Sequence, residues 1–162
     1  FMNKLNDTQH YTEDSFNYAR DQIIKEWMVK AVEMEILINT GKHREPKSLS
    51  EKKFRNYFDS TQNRRNFLLM MIKNKLSKET TLVTPLANSL GISKNHMNTM
   101  LKECSAGGWV VVRHNEKGWR EVQGTELITN FYFSHSKWRF RYFKESGMEE
   151  LAQLIVGLEK YV

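Results

Sequence analysis

A chain of 162 residues, 40% hydrophobic and 12% aromatic, is long enough to bury a core and too apolar to be a disordered tail. No apolar run approaches the ~20 residues of a membrane span, and a single cysteine, Cys104, excludes an internal disulfide framework and suits a reducing compartment. The formal net charge is +6, and its distribution matters more than its size. Residues 63–124 hold ten Lys and Arg against four Glu, whereas residues 1–62 and 125–162 are each neutral. A local positive field of this kind attracts polyanions, although a solvated face that only keeps the chain in solution has the same composition. The opening FMNKLNDTQH reads as a native Met2 behind a leftover Phe1 with no signal peptide, and the chain is expected to be soluble and cytoplasmic.

The first element is a long helix over residues 12–39, where Phe16, Ile23, Trp27, Ala31, Met34 and Ile38 recur at helical spacing behind Thr12 as N-cap. Gly41 and Pro46 mark a polar connector. Ser48 and Glu51 then have capping-box spacing for a short helix through Phe58. Residues 63–76, NRRNFLLMMIKNKL, predict a further helix with a heavily apolar face. Residues 81–83 are β-branched and apolar, as in a short strand, and Thr84-Pro85 has the form of a helix opening. Leu86, Ala87 and Leu90 share one face of the helix that follows. Gly91 supplies the residue a tight turn needs at positive φ, Ile92 plugs the turn, and Ser93 caps a second helix. On that second helix Met97, Met100, Leu101 and Cys104 share one face. Two helices joined in this way form a helix-turn-helix whose second helix can enter a major groove. The run from Trp109 to Arg113, the turn-like NEKG at 115–118 and the run from Trp119 to Val122 make a β-hairpin directly after it, a wing.

The stretch TPLANSLGISKNHMNTMLKECSAGGWVVVRH, with its hydrophobic-Ala-x-x-Leu-Gly-hydrophobic-Ser pattern, resembles the winged helix-turn-helix transcriptional regulators of the MarR type over about residues 81–124. The resemblance implies a mainly α fold with a small β-hairpin wing and with long N- and C-terminal helices that form a dimerisation region. It also implies double-stranded DNA as the partner. MarR-type wings usually carry an acidic-x-Arg near the tip, whereas here the tip is HNEKGW, which leaves Lys117 and Arg120 as its cationic residues. Three segments are expected within one compact subunit: 1–62 as N-terminal support and dimerisation helices, 63–124 as the DNA-binding region, and 125–162 as C-terminal dimerisation helices.

With its apolar stripe inward, the second helix, about residues 93–105, turns Lys94, Asn95, His96, Asn98, Thr99 and Lys102 outward. Asparagine pairs bidentately with adenine and threonine offers a methyl to thymine, while Lys94 and Lys102 suit phosphates. Ser93 adds a contact beside free backbone N–H groups at the helix start, and Arg113, Lys117 and Arg120 are the candidates from the wing at about 109–123. The apolar stripe of the C-terminal helix, with Leu151, Leu154, Ile155 and Leu158, joins Phe16 and Trp27 of the first helix in more apolar surface than one small domain needs to cover. These six residues are therefore the expected homodimer contacts, and a two-fold dimer would read half-sites roughly 34–36 Å apart.

The aromatic run at 129–143 admits two readings, core and subunit contact or a pocket for a small apolar or aromatic effector, which the resemblance places between the dimerisation and DNA-binding regions. The histidines His10, His43, His96, His114 and His135 have no partner at metal-ligand spacing, so no metal and no cofactor are expected. Cys104 faces the core on the helical pattern and reads as a structural thiol. No nucleophile triad, P-loop or dinucleotide fingerprint favours an enzyme. The competing function is a winged-helix protein-interaction module in which the positive window docks an acidic partner without specific DNA binding.

Overall fold

The computed structural model describes residues 2–159, with side chains from residue 13 onward. The reading of Phe1, and the side chains of His10 and Thr12, lie outside the described residues. Among them are seven helices and one three-stranded antiparallel sheet, and no helix is long and apolar enough to cross a membrane. By contact the chain divides into two units. One comprises residues 46–136, and the other the residues up to Glu45 together with those from Lys137 onward.

In the second of these units α1 (Met2–Asn39) packs along α7 (Met148–Glu159). α1 begins at Met2 and not at the expected Thr12, because residues 2–11 contain neither Gly nor Pro and a threonine does not by itself stop a helix. Met34 and Met148 are buried here. Arg139 reaches Glu35 at 3.6 Å, and Trp138 meets the His43 ring edge-on at 5.0 Å and Tyr142 at 5.3 Å. The stripe expected to meet a second subunit is thus partly used within the chain: Trp27, Leu151, Ile155 and Leu158 are half-buried, and only Phe16 and Leu154 are exposed.

The unit of residues 46–136 contains α2 (Leu49–Phe58), α3 (Gln62–Leu76), β1 (Thr81–Leu82), α4 (Val83–Leu90), α5 (Lys94–Ala106), β2 (Val110–His114), β3 (Arg120–Gly124) and the first part of α6 (Glu126–Glu145). Three of these helices start on a hydroxyl that accepts the N–H three residues on: Ser48 from Glu51 at 3.1 Å, Thr61 from Arg64 at 3.2 Å and Ser93 from His96 at 3.1 Å. Each such cap stabilises by about 1 kcal/mol. At the expected capping box the Ser48 hydroxyl makes its bond, and the buried Glu51 carboxylate accepts from the Lys47 N–H at 2.7 Å.

α4 opens one residue earlier than its sequence punctuation suggests. Val83 is drawn into the core as the first helical residue, so β1 stops at Leu82, which caps α4 without a side-chain bond. Thr84 is therefore inside the helix and not its cap, and Pro85 stands in the first turn, where its missing N–H has no partner to lose. β1 joins the wing strands as an edge, in the order β1-β3-β2. The wing strands begin after the tryptophans expected to start them. Trp109 is buried among Phe54, Tyr57 and Phe58, and Trp119 belongs to the tip.

One core holds this unit. Phe54, Phe58, Phe67, Leu68, Met71 and Ile72 of α2 and α3 meet Leu86 and Ala87 of α4, the inward stripe of α5, Val110 and Val122 of the wing, and Ile128 of α6. Gly91 sets the angle between α4 and α5 at φ 65°, ψ 31°, the left-handed region. A Cβ there would find nothing within 4 Å, so substitution strains only the backbone. Gly91→Ala is expected to lower unfolding stability by roughly 1–2 kcal/mol and Gly91→Asn by less, both read from urea titrations followed by circular dichroism.

Candidate nucleic-acid interface

α5 turns by about 100° per residue, so burial of Met97, Met100, Leu101 and Cys104 dictates the rest of its circumference. Asn95, Thr99 and Lys102 come to lie opposite the buried stripe. Asn98 falls on one flank, and His96 with Glu103 on the other. Lys94, Asn95, His96, Thr99 and Lys102 are exposed and Asn98 is half-buried. Among the described residues neither Lys94 nor Lys102 has an ion-pair partner. The Thr99 hydroxyl donates back to the Asn95 carbonyl at 3.1 Å, so its proton is used within the helix.

Both flanks are tied down. On one, the Tyr57 hydroxyl donates to Glu103 Oε2 at 2.7 Å, and Arg64 Nη2 approaches the same oxygen at 3.4 Å with its guanidinium 4.1 Å above the Tyr57 ring. Burial, and then the Glu103 carboxylate, push the Tyr57 hydroxyl well above the usual tyrosine range and keep it a donor. The Arg64–Glu103 pair is partly exposed and is worth about 0–1 kcal/mol; the hydroxyl bond to a charged group is stronger, about 1.5–3 kcal/mol. On the other flank, Arg120 of the wing donates from Nη2 to Asn98 Oδ1 at 2.7 Å.

The wing's register explains why Arg120 can do this. Val112 pairs with Val122, Arg113 with Glu121 and His114 with Arg120. Alternate residues of a strand take opposite faces. Val110, Val112, Arg120 and Val122 therefore share the face toward α5, whereas Val111, Arg113, Glu121 and Gln123 share the other. At the tip, Asn115 Oδ1 accepts the N–H groups of both Lys117 and Trp119 at 2.9 Å, and Gly118 takes φ 76°. The Trp119 indole is 55% exposed, with the Lys117 ammonium 5.1 Å from its ring centre.

The structure thus brings together Ser93, Lys94, Asn95, His96, Asn98, Thr99 and Lys102 on α5, joins Arg120 to them through Asn98, and leaves Lys117 at the tip. It sets Arg113 apart. That side chain is on the far face of the hairpin, donates to Gln123 Oε1 at 2.6 Å, and lines an open cavity of about 500 Å³ with Lys75, Lys78, Glu121 and Glu126. Sequence reasoning missed the Tyr57–Glu103–Arg64 cluster and the Arg120–Asn98 bond. The one available signal was Glu103, an acid at a helix flank inside the positive window.

No known protein family matches the sequence, and no curated protein matches it. Two solved structures have a similar fold. One is the heme sensor protein PefR in complex with heme and carbon monoxide, at 11% identity over 82% of this chain and 93% of that chain, with a TM-score of 0.45. The other is the transcriptional regulator BldR from Sulfolobus solfataricus, at 18% identity over 83% of this chain and 93% of that chain, with a TM-score of 0.41.

Cys104, next to Glu103 on the buried stripe, has its thiol pushed up to about 12, chiefly by burial. Burial favours the neutral thiol, so the stability it contributes is complete below the unfolded thiol value of about 8.5 and is lost as pH rises toward the folded one. At pH 8 the native chain is expected to leave Cys104 unmodified by a chromogenic disulfide reagent over the minutes in which the urea-unfolded chain reacts fully. Equal rates would show that the thiol is accessible.

Proposed function

We propose that this chain is a transcriptional regulator that reads duplex DNA as a homodimer, through α5 at about residues 93–105 and the short wing at about 109–123. The observation that carries the reading is the outward face of α5. Its lysines are unpaired, its amides are exposed or half-buried, and both flanks are braced against the core and the wing so that the face is rigid. Lys94 and Lys102 meet phosphates and hold the register, and Ser93 adds a contact at the helix start. Asn95, Asn98 and Thr99 address base edges, with His96 beside them. Lys117 and Arg120 extend the contact along the wing. Arg113 contributes through the positive field of this region and not through a shared contact face. Residues 63–124 carry the DNA-binding role, and the segments on either side of them carry support and dimerisation.

The homodimer is supported by what the packing of α1 and α7 leaves uncovered. Met28, Val29, Val32 and Ile36 form a row on α1, each more than half exposed, and Leu154 and Val156 are similarly exposed on α7. Phe16, Trp27, Leu151, Leu154, Ile155 and Leu158 belong to the same proposed contact, the half-buried ones as its supporting layer. A small apolar or aromatic effector is part of this reading, supported by the aromatic composition of residues 129–143.

Two measurements test the proposal. Fluorescence anisotropy on a mixed-sequence duplex should give a log affinity that falls linearly with log salt, by about 0.9 per phosphate contacted, and Lys94→Glu/Lys102→Glu should flatten the slope. Weak binding indifferent to both salt and substitution would favour the protein-interaction module instead. In sedimentation velocity the unmodified chain should run as a dimer and Val32→Glu/Ile36→Glu as a folded monomer; a monomeric unmodified chain at micromolar concentration would remove the dimer.

A further inference from the structure

We propose that Asn98 and Arg120 act as a single donor-only reading unit that selects guanine, with the wing arginine fixing the amide of the recognition helix. This rests on the DNA-binding reading above and names the base that one part of the same face takes.

A guanidinium carries only donors, so the Asn98 atom 2.7 Å from Arg120 Nη2 is the carbonyl oxygen. The orientation of an asparagine amide is usually a matter of assignment; here its partner decides it. The oxygen faces the wing and the Nδ2 amine takes the other end, where nothing among the described residues accepts from it. The bond joins two regular elements. Arg120 stands opposite His114 in the wing ladder, two residues from the buried Val122, and Asn98 lies between the buried Met97 and Met100.

That orientation changes what the amide can read. Adenine in the major groove offers an acceptor at N7 and a donor at N6, and asparagine matches it by presenting its oxygen and its nitrogen side by side. Asn98 presents the nitrogen and turns the oxygen to Arg120. Guanine offers two acceptors, N7 and O6, and two donors next to each other are the Asn98 amine and the remaining N–H edge of Arg120. Asn95 provides the contrast on the same helix. Among the described residues no side-chain hydrogen bond holds its amide, which is exposed opposite the buried stripe with both donor and acceptor available. Asn95 suits adenine and the Asn98–Arg120 unit suits guanine.

The test is selection of binding sites from a randomised duplex pool with the unmodified chain, Asn98→Ala, Asn98→Asp and Arg120→Ala. Asn98→Ala identifies the position that Asn98 contacts as the one whose preference disappears. There the unmodified chain should favour guanine over adenine on the order of ten-fold. Asn98→Asp retains an oxygen for Arg120 but no donor and should lose the guanine preference. Arg120→Ala releases the amide and should shift the preference to adenine. An adenine preference or none in the unmodified chain, no position sensitive to Asn98→Ala, or an unchanged guanine preference in Arg120→Ala would each overturn the proposal. If circular dichroism shows Arg120→Ala unfolded, the comparison of the unmodified chain with the near-isosteric Asn98→Asp decides alone. Failure to bind any duplex would overturn the DNA-binding reading and this unit with it, whereas binding without guanine selection overturns only the unit.

Discussion

The face that α5 turns to solvent is a consequence of the one it buries. Met97, Met100, Leu101 and Cys104 sink into a core whose neighbouring aromatic cluster is formed by Phe54, Phe58 and Trp109. Protein interiors are packed to crystal-like density, and rotating α5 by a single residue would move its apolar stripe by about 100° and bring polar side chains into that core. Each element that touches α5 then acts on an orientation already set. Gly91 lets the chain enter from α4, Tyr57 and Arg64 hold the Glu103 side, and the wing holds the Asn98 side. The contacts at the flanks are individually modest beside the buried stripe, but they determine which atoms the solvent side presents.

Much of this was legible in the sequence where a local rule has one outcome. Gly91 is required by a positive φ, and Ser93 stands where an orphan N–H needs an acceptor. Met97, Met100, Leu101 and Cys104 recur at a spacing only a helix can bury together, and all four are buried. The misreadings fall where tertiary packing overrides a local preference. Thr84-Pro85 has the form of a helix opening, yet the core takes Val83 as the first helical residue. Trp109 and Trp119 both looked like strand starts; one is claimed by the aromatic cluster and the other by the hydrogen bonds of Asn115. Thr12 had the form of a cap, but nothing before it opposes a helix.

The candidate site was less legible than the fold, for a related reason. A helical repeat tells which residues of α5 face outward, but not what stands beside them. Whether Arg113 and Arg120 share a face is decided by the alternation of β2 and β3 and by their register, which the turn at residues 115–118 sets. Two arginines alike in composition therefore have different surroundings, one bonded to Asn98 and the other to Gln123. The positive charge of residues 63–124 is likewise not uniform once folded. Arg64, Lys73 and Lys75 are paired with Glu103, Glu79 and Glu126, while Lys94 and Lys102 on α5 have no ion-pair partner among the described residues. Folding thus redistributes an even charge excess into a directional one.

The construction of the wing also bears on how such a protein can change over generations. Its ladder is pinned at the middle by the Val112–Val122 pair and at the end nearest the tip by Arg120, opposite His114, whereas the tip is closed by one asparagine side chain and one glycine. Exposed tips with small or polar residues are where chains accept insertions. Glu116 and Lys117 are both exposed there, and residues added between them that keep His114 paired with Arg120 lengthen the hairpin while leaving the Arg120–Asn98 bond in place. Reach and selectivity are thereby separable traits, and a lineage could lengthen the arm while keeping the same reading head.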